Sequence, residues 1–563
     1  MEPHLRENTS KAFVGLQRCK ALAKLIKSQR EPPWPSPPTS KADLPPKDLA
    51  DKLVSCYLRT TETVHRILHI PTFMKDYEAV WISEKEPDSS FLVQLKLVLA
   101  IGATTYDEQF SLRPLAIKWV YEAQTWYSEP EFKSRLSIQS LQTNLLLLLA
   151  RETAGVGGTM IWTSAGELLR TAMHMGLHRD PACLPKMSVS GTEMRRRLWN
   201  TILEVTLQSS MSSGGSPLVS LDDFNTEPPL NFDDEELVAE NAVPRSEDVL
   251  TQMSIAIALR KTLPLRLAIL KVLNDLGSRG TYEETLRLDT EFRTAYRALC
   301  QTLQRCRLTT GNSPFQFGIR AVDFIMRRYL SSLHVPFFGS KLHESTYAYS
   351  RKVIVDTSLQ LWCAAYPSSS NIASRSRSDD DTTSSDHDDF ARFVVCGSGF
   401  FRTVTIQACF LIAAELKTQL QEQDSLGPVP LRPDLLAVID DGKTWSLQCM
   451  EAGEANMKGY LLTCLAAAHI DGLTKGIGKE NLPALLLKAA EEAEEKCLCV
   501  ALLVKQAIRG IQQRLLADSG SSHASWERVE VEQDAKPHGR SSEEGAGNSR
   551  EEQHQAHHSP NTN

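Results

Sequence analysis

GELLRTAMHMGLHRDP at residues 166–181, EMRRRLWNTILEVTLQSSMSSGGSP at 193–217 and DFNTEPPLNFDDEEL at 223–237 together decide the fold. Ile161, Ala165, Leu168, Ala172 and Gly176 recur at the spacing that lays one apolar stripe along an α-helix. The pattern predicts a helix capped by Thr159 and ended at Asp180-Pro181, because proline cannot continue the hydrogen-bond ladder. The second stretch predicts a helix opened by a capping box, Ser190-Gly-Thr-Glu193, with Met194, Leu198, Ile202 and Val205 as its buried stripe. Two such helices joined by about a dozen polar residues read as an antiparallel pair.

The same period extends outward. From Leu49 it gives Leu53-Val54 and Tyr57-Leu58, then HIPTF at 69–73, where Pro71 interrupts and Phe73 and Tyr77 restart a helix. Segments 91–105, 112–127 and 137–150 read as apolar helices, with Leu145–Leu149 buried on every face. Met253–Val272 and Glu283–Cys306 return to helix, and in HVPFF (334–338) a proline ends a helix before two aromatics that plug the core. The fold class is therefore all-α: a large multi-helix domain of packed antiparallel helices with disordered linkers and a disordered C-terminal tail.

Gly166–Asp180, Arg195-Arg-Arg-Leu-Trp199, Glu227-Pro-Pro-Leu-Asn-Phe-Asp-Asp234 and the upstream His69–Phe73 closely resemble the middle homology region of the fungal zinc-cluster transcription factors. Looser resemblance runs from Leu49 to near Leu516, and the family's usual Arg in its Gly-x-Pro stretch is replaced here by Gly215-Ser216-Pro217. These factors bind DNA through six cysteines on two zinc ions, with CxxC spacing that wraps a metal whose binding folds the module. This chain has 12 cysteines, only Cys19 precedes Cys56, and no pair forms CxxC. It resembles a zinc-cluster regulator with its cluster missing.

Net charge −7 and pI about 6.1 give no global bias toward nucleic acid. The scattered cysteines favour reduced thiols inside a cell, and no run approaches the roughly 18 apolar residues that span a bilayer. Residues 1–31 form an expected basic amphipathic helix: over residues 1–30 seven Lys or Arg against Glu2 and Glu7 leave +5, with Phe13, Leu16, Ala23 and Ile26 on one face. It reads either as a docking helix with a solvated basic face or as a DNA-contacting or nuclear-import element. A linker with seven prolines follows at 32–47. The regulatory domain is expected at 48–366, a disordered Ser/Asp insert with six aspartates at 367–390, a C-terminal helical part of the same body at 391–517 and a polar tail at 518–563. The insert reads as a tolerated loop or as a phosphorylatable or acidic activation segment. Leu486, Ala490, Ala493, Cys497, Val500, Val504, Ala507 and Ile511 follow a 4,3 spacing that suits packing onto the preceding helices better than a dimeric coiled coil.

Three constellations invite chemistry. His174 and His178 at i and i+4 could share a metal on one helical face, but Met175 stands where a metalloprotease needs Glu, and His178 suits a helix C-terminal cap. Arg195-Arg196-Arg197 cannot all face one ligand, since consecutive helix positions are 100° apart. Pairing of one or two of them with Glu167, Glu204 or Asp222-Asp223 is expected, with the others solvated. Gly155-Val-Gly-Gly158 lacks the Lys-Ser/Thr of a phosphate loop and predicts a helix-helix turn. Asp222–Asn241 reads as an acidic loop laid over the surface.

These readings assign no catalytic residue, no metal ligand and no cofactor. The resemblance implies a nuclear transcription regulator, not an enzyme. Its partners would be other transcription factors or a second copy of the chain, with a small-molecule effector allowed in a pocket near the central block, and no membrane. It would reach DNA only through a partner or a missing N-terminal module. The alternative is a helical ligand-binding protein or an enzyme whose dispersed catalytic residues leave no motif.

Overall fold

Proline starts helices along this chain and glycine ends them, as the missing N–H of one and the left-handed freedom of the other dictate. In the computed structural model Pro46 precedes α1 (Lys47–Arg59), and after a four-residue α2 (Thr61–Val64) Pro71 sits in the first turn of α3 (Ile70–Ile82). The structure describes residues 41–500 apart from 129–135, 158–159, 240–241, 275–279, 311–314, 339–344, 368–387, 422–430, 455–456, 479 and 498. The basic helix expected at 1–31, the linker up to residue 40, most of the 367–390 insert, the end of the 391–517 part and the 518–563 tail lie outside the described residues, as does Thr159.

Next come α4 (Ser89–Gly102), α5 (Arg113–Ser128), α6 (Ile138–Ala154), α7 (Ile161–His174) and α8 (Val189–Ser213). After a long ordered loop follow α9 (Ser254–Lys261), α10 (Leu263–Asn274), α11 (Tyr282–Thr310), α12 (Gln316–His334) and α13 (Ala348–Ala365). The remaining helices are α14 (Asp389–Cys396), α15 (Phe400–Gln421), α16 (Pro433–Glu451) and α17 (Met457–Thr474), with 482–497 helical beyond them. No strand occurs among the described residues.

α4 packs on α1, α5 and α6, and everything from Phe91 to Gly102 is buried, including Lys96, whose Nζ donates to Glu122 at 2.8 Å. A helix buried all round shows little amphipathic contrast, which is why the apolar run and not a stripe predicted it. α8, 25 residues and about 38 Å long, contacts α6, α7, α9, α10 and α15 and so ties the first half to the second. One apolar cluster runs continuously from Ala50 to Ile470. α14 and α15 meet at 87° and are apolar because both lie in that core; among the described residues no single helix is long and apolar enough to cross a membrane. Ala493, Cys497 and Val500 pack in one cluster with Met450 and Tyr460, so these three positions of the 4,3 seam are covered by this chain's own helices, while Leu486 and Ala490 are half-buried.

Several boundaries differ from expectation. α7 ends at His174, not at Asp180-Pro181: Gly176 takes φ +75°, the Leu177 N–H bonds the Ala172 carbonyl and the Gly176 N–H bonds that of Met173. This left-handed termination satisfies the last carbonyls a turn and a half early. α8 is capped by Ser188, whose hydroxyl accepts from the Gly191 N–H, and not by a box at Ser190. Glu193 is buried and committed to other donors. The helix expected over Met253–Val272 breaks at Thr262, because Pro264 has no N–H to give the preceding turn. The last two aspartates of the acidic insert are structural: Asp388 caps α14 and pairs with Arg320, and Asp389 holds Arg59 at 2.7 Å. Gly155-Val-Gly157 makes the expected turn, with φ +79° at Gly155.

Candidate functional site

The four quoted stretches meet in one ionic knot. Asp234, fully buried, accepts from Arg197 Nη1 at 2.5 Å, Arg66 Nη2 at 2.7 Å and the Ile70 N–H at 2.8 Å, while its carbonyl meets His69 Nε2 at 2.9 Å. Burial alone would raise its pKa, but the Arg66 and Arg197 charges and the Ile70 N–H outweigh it and hold the carboxylate ionised. Glu62, on the other side of Arg66, accepts from the Ile67 and Leu68 N–H groups at 3.0 Å and from the Tyr57 hydroxyl at 2.6 Å. Burial dominates there and lifts its pKa to about 7.

The arginine run is divided as helical geometry requires, although its partners are not the expected ones. Arg195 donates to the Met175 carbonyl at 2.8 Å, Arg196 forks onto both oxygens of Asp180 and reaches Glu193 at 3.0 Å, and Arg197 takes Asp234. Each has a partner, with Arg197 buried and Arg195 and Arg196 half-buried. Glu204, an expected partner, instead grips Arg266 bidentately at 2.5 and 2.6 Å. Asp180 and Glu193 also receive the Glu227 and Leu230 N–H groups at 3.0 and 2.8 Å. Asn231, Phe232, Asp234 and Leu237 are buried, so the described part of the 222–241 loop, up to Ala239, is plugged into the body at these positions and does not merely cover it.

The histidine pair dissolves. His174 is exposed at the end of α7, and His178 lies beyond the helix, stacked near Trp199 at 6.3 Å, so it is neither a helix cap nor an i+4 partner. No cluster of three or more metal-ligating side chains occurs among the described residues. A Ser-His-Asp string does: Ser350 Oγ lies 2.8 Å from His334 Nδ1, and His334 Nε2 lies 3.1 Å from Asp289. Ser350 and His334 have no solvent exposure, and Asp289 also holds Arg293 and Tyr349. The string works as a polar strut joining α11, α12 and α13.

A cavity of about 30 Å³ lies where α2, α6, α8, α12, α14 and α15 converge. Thr61, His65, Glu152 and Gln208 face it from the polar side and Phe317, Phe393, Phe400 and Phe401 from the apolar side. A second void of about 10 Å³ shares His65, Gln208 and Phe400 and ends at Glu204, Arg266 and Tyr329. Burial drives the His65 pKa down to about 4 and raises that of Glu152, whose carboxylate also accepts from the Phe400 N–H at 3.0 Å. Of the site's residues the sequence singles out Arg195–Arg197 and Glu204; Glu62, Arg66, Arg266 and Glu152 it does not, because α2 ends at Val64 and Asp234, Arg266 and Glu152 meet their partners across long separations that no local pattern carries.

Residues 54–287 match the fungal specific transcription factor domain. The chain is similar to the transcription factor opdR of Penicillium oxalicum (32% identical over 508 residues, 84% of this chain and 62% of that protein) and to the transcription factor lepE of Aspergillus flavus (30% identical, 88% and 60%). It is also similar to the aspyridones cluster regulator apdR of Emericella nidulans (30% identical, 70% and 53%). The chain spans about three fifths of the first two relatives' length. No solved structure matches it. The residues that match this domain hold the whole ionic knot, and it is in and around them that the chain is similar to these fungal transcription factors.

Proposed function

We propose that the chain regulates transcription in the nucleus, with residues 48–366 and 391–517 forming one helical regulatory body, and that it is not an enzyme. The body takes partner proteins, such as other transcription factors or a second copy of the chain, together with a small effector. DNA is reached through a partner or an N-terminal zinc-cluster module. The observation that carries this reading is the knot: every arginine of the central basic run is engaged inside the protein, so the run is an internal fastening of a regulatory scaffold and not a phosphate-facing patch. The buried Ser350-His334-Asp289 string weighs against the enzyme alternative, because a nucleophile needs access to its substrate.

Fusing the chain to a heterologous DNA-binding domain in a fungal host tests the proposal. Reporter output should change several-fold, and the tagged chain should accumulate in the nucleus. An unchanged reporter with cytoplasmic accumulation overturns it. The purified chain alone should show no sequence-selective gel shift at physiological salt.

A further inference from the structure

We infer that the cavity under α2 is a binding site for a small uncharged molecule carrying one hydroxyl or carbonyl on an apolar body. Two atoms point to it. Thr61 Oγ1 and His65 Nδ1 are both buried, both belong to residues lining the cavity, and neither has a hydrogen-bond partner among the described residues. The His65 N–H bonds the Thr61 carbonyl at 2.9 Å, so the two residues close one turn with their side chains on the same void. Unpaired buried polar groups cost free energy, and two of them on one cavity call for one polar ligand group that satisfies both.

The lining selects the rest of the molecule. His65 is held neutral by burial, so the lining offers no cation to an anion, and the Glu152 carboxyl, raised by burial, is already taken up by the Phe400 N–H, so a charged ligand would enter an apolar void at the cost of its hydration. Four phenylalanines supply the apolar wall. About 30 Å³ exceeds what one water needs and accommodates a head group of two or three atoms. The body of the ligand takes the space gained when Phe400 and Phe401 yield. Both follow Gly399, at φ +94°, in the corner where α14 meets α15 at 87°. The 10 Å³ neighbour shares His65, Gln208 and Phe400 with the main cavity, so these three side chains are all that both voids have in common. The site lies between α2, α6 and α8 of the first half and α14 and α15 of the second, so occupancy would bear on how the halves close.

This inference deepens the effector part of the proposed function, and its test is independent of transcription. Benzyl alcohol and cyclohexanone serve as neutral probes of the purified full chain, with benzoate and benzylammonium as charged controls, read by calorimetry and by thermal unfolding. Both neutral probes should bind and raise Tm, and both charged analogues should bind at least about tenfold more weakly. Thr61→Val removes a hydroxyl that holds nothing, so it should leave the Tm of the free protein unchanged while weakening benzyl alcohol about 3- to 10-fold. Val64→Ile, which adds one methyl to the wall, should weaken both probes.

Absence of probe binding, equal binding of the charged analogues, or wild-type affinity in both variants overturns the site. A drop in the Tm of Thr61→Val without probe binding also overturns it, assigning the cavity to structural water. Failure here alongside a working reporter fusion rejects the site and leaves the regulatory reading standing. Binding with a silent fusion does the reverse.

Discussion

Asp234 shows what a single side chain does in this protein. It gathers Arg66 and the Ile70 N–H from one stretch and Arg197 from another, and both guanidinium groups are out of water. Removing the carboxylate leaves Arg197 buried without its ion-pair partner and Arg66 with Glu62 alone, at 3.7 Å. Asp234→Ala should therefore cost about 3–5 kcal/mol in urea unfolding at pH 7. Glu247→Ala, which breaks an exposed pair with Lys261, should cost less than about 1 kcal/mol. Two neighbouring groups set opposed pH dependences. His65 titrates near 4 in the fold against 6.5 free, so between those values the unfolded chain takes up a proton that the native protein refuses, and stability falls as pH drops through that window. Glu62 titrates near 7 against 4.5, so the native protein keeps a proton that the unfolded chain releases, and stability falls as pH rises from 4.5 to 7. His65→Gln should flatten the acid limb, by roughly 3 kcal/mol at most, and Glu62→Gln should flatten the other. Unfolding free energies of the three proteins from pH 4 to 7.5 check this, and parallel profiles would reject it.

At the scale of elements, close approach of helices depends on where side chains are absent. A Cβ on Gly102, at the end of α4, would sit 2.0 Å from the Leu53 carbonyl oxygen of α1. Backbone cannot swing aside as a long side chain can. Gly102→Ala should push α1 from α4 and cost about 1–3 kcal/mol or more by overpacking, with slower hydrogen exchange lost first in α1. If its unfolding midpoint matches wild type, the two helices do not pack as closely as described. Helices were legible in the sequence wherever one face is apolar, as at Leu168, Ala172, Leu198 and Ile202, all of which are buried. Helix ends were less so. The α7 terminus at Gly176 competes with the more conspicuous Asp180-Pro181, and only the hydrogen bonds to Ala172 and Met173 show that the left-handed glycine wins. That the arginines 195–197 would divide, one or two of them pairing with acids, was also legible, since three successive positions cannot share one face; that the third would find a backbone carbonyl as well was not. Their partners were not, because Asp180 and Asp234 arrive through loops whose course follows from tertiary packing.

Across the whole molecule, the two sides of the acidic insert are fastened to each other at many points. Arg113 of α5 donates to the carbonyls of Cys396 and Gly453 at 2.6 and 2.7 Å, Arg59 pairs with Asp389, and the Glu152 carboxylate receives the Phe400 N–H. Phe317 and Phe324 of α12 meet Phe390, Phe393, Phe400 and Phe401 edge-on or tilted, with ring centroids 5.4–6.4 Å apart. A fragment ending at residue 366 would expose those rings, the Glu152 carboxylate and an uncompensated Arg113 together. The apolar surface alone exceeds what a small soluble body tolerates without associating. The 1–366 fragment should consequently bind a hydrophobic dye and elute as aggregate, and a 388–517 fragment should behave likewise. Co-expressed, the two should recover a soluble complex, because every contact named above has both of its partners within these two fragments. A 1–366 fragment that is monomeric and unfolds cooperatively by itself would show instead that the halves are separate domains, and the single regulatory body proposed above would have to be given up.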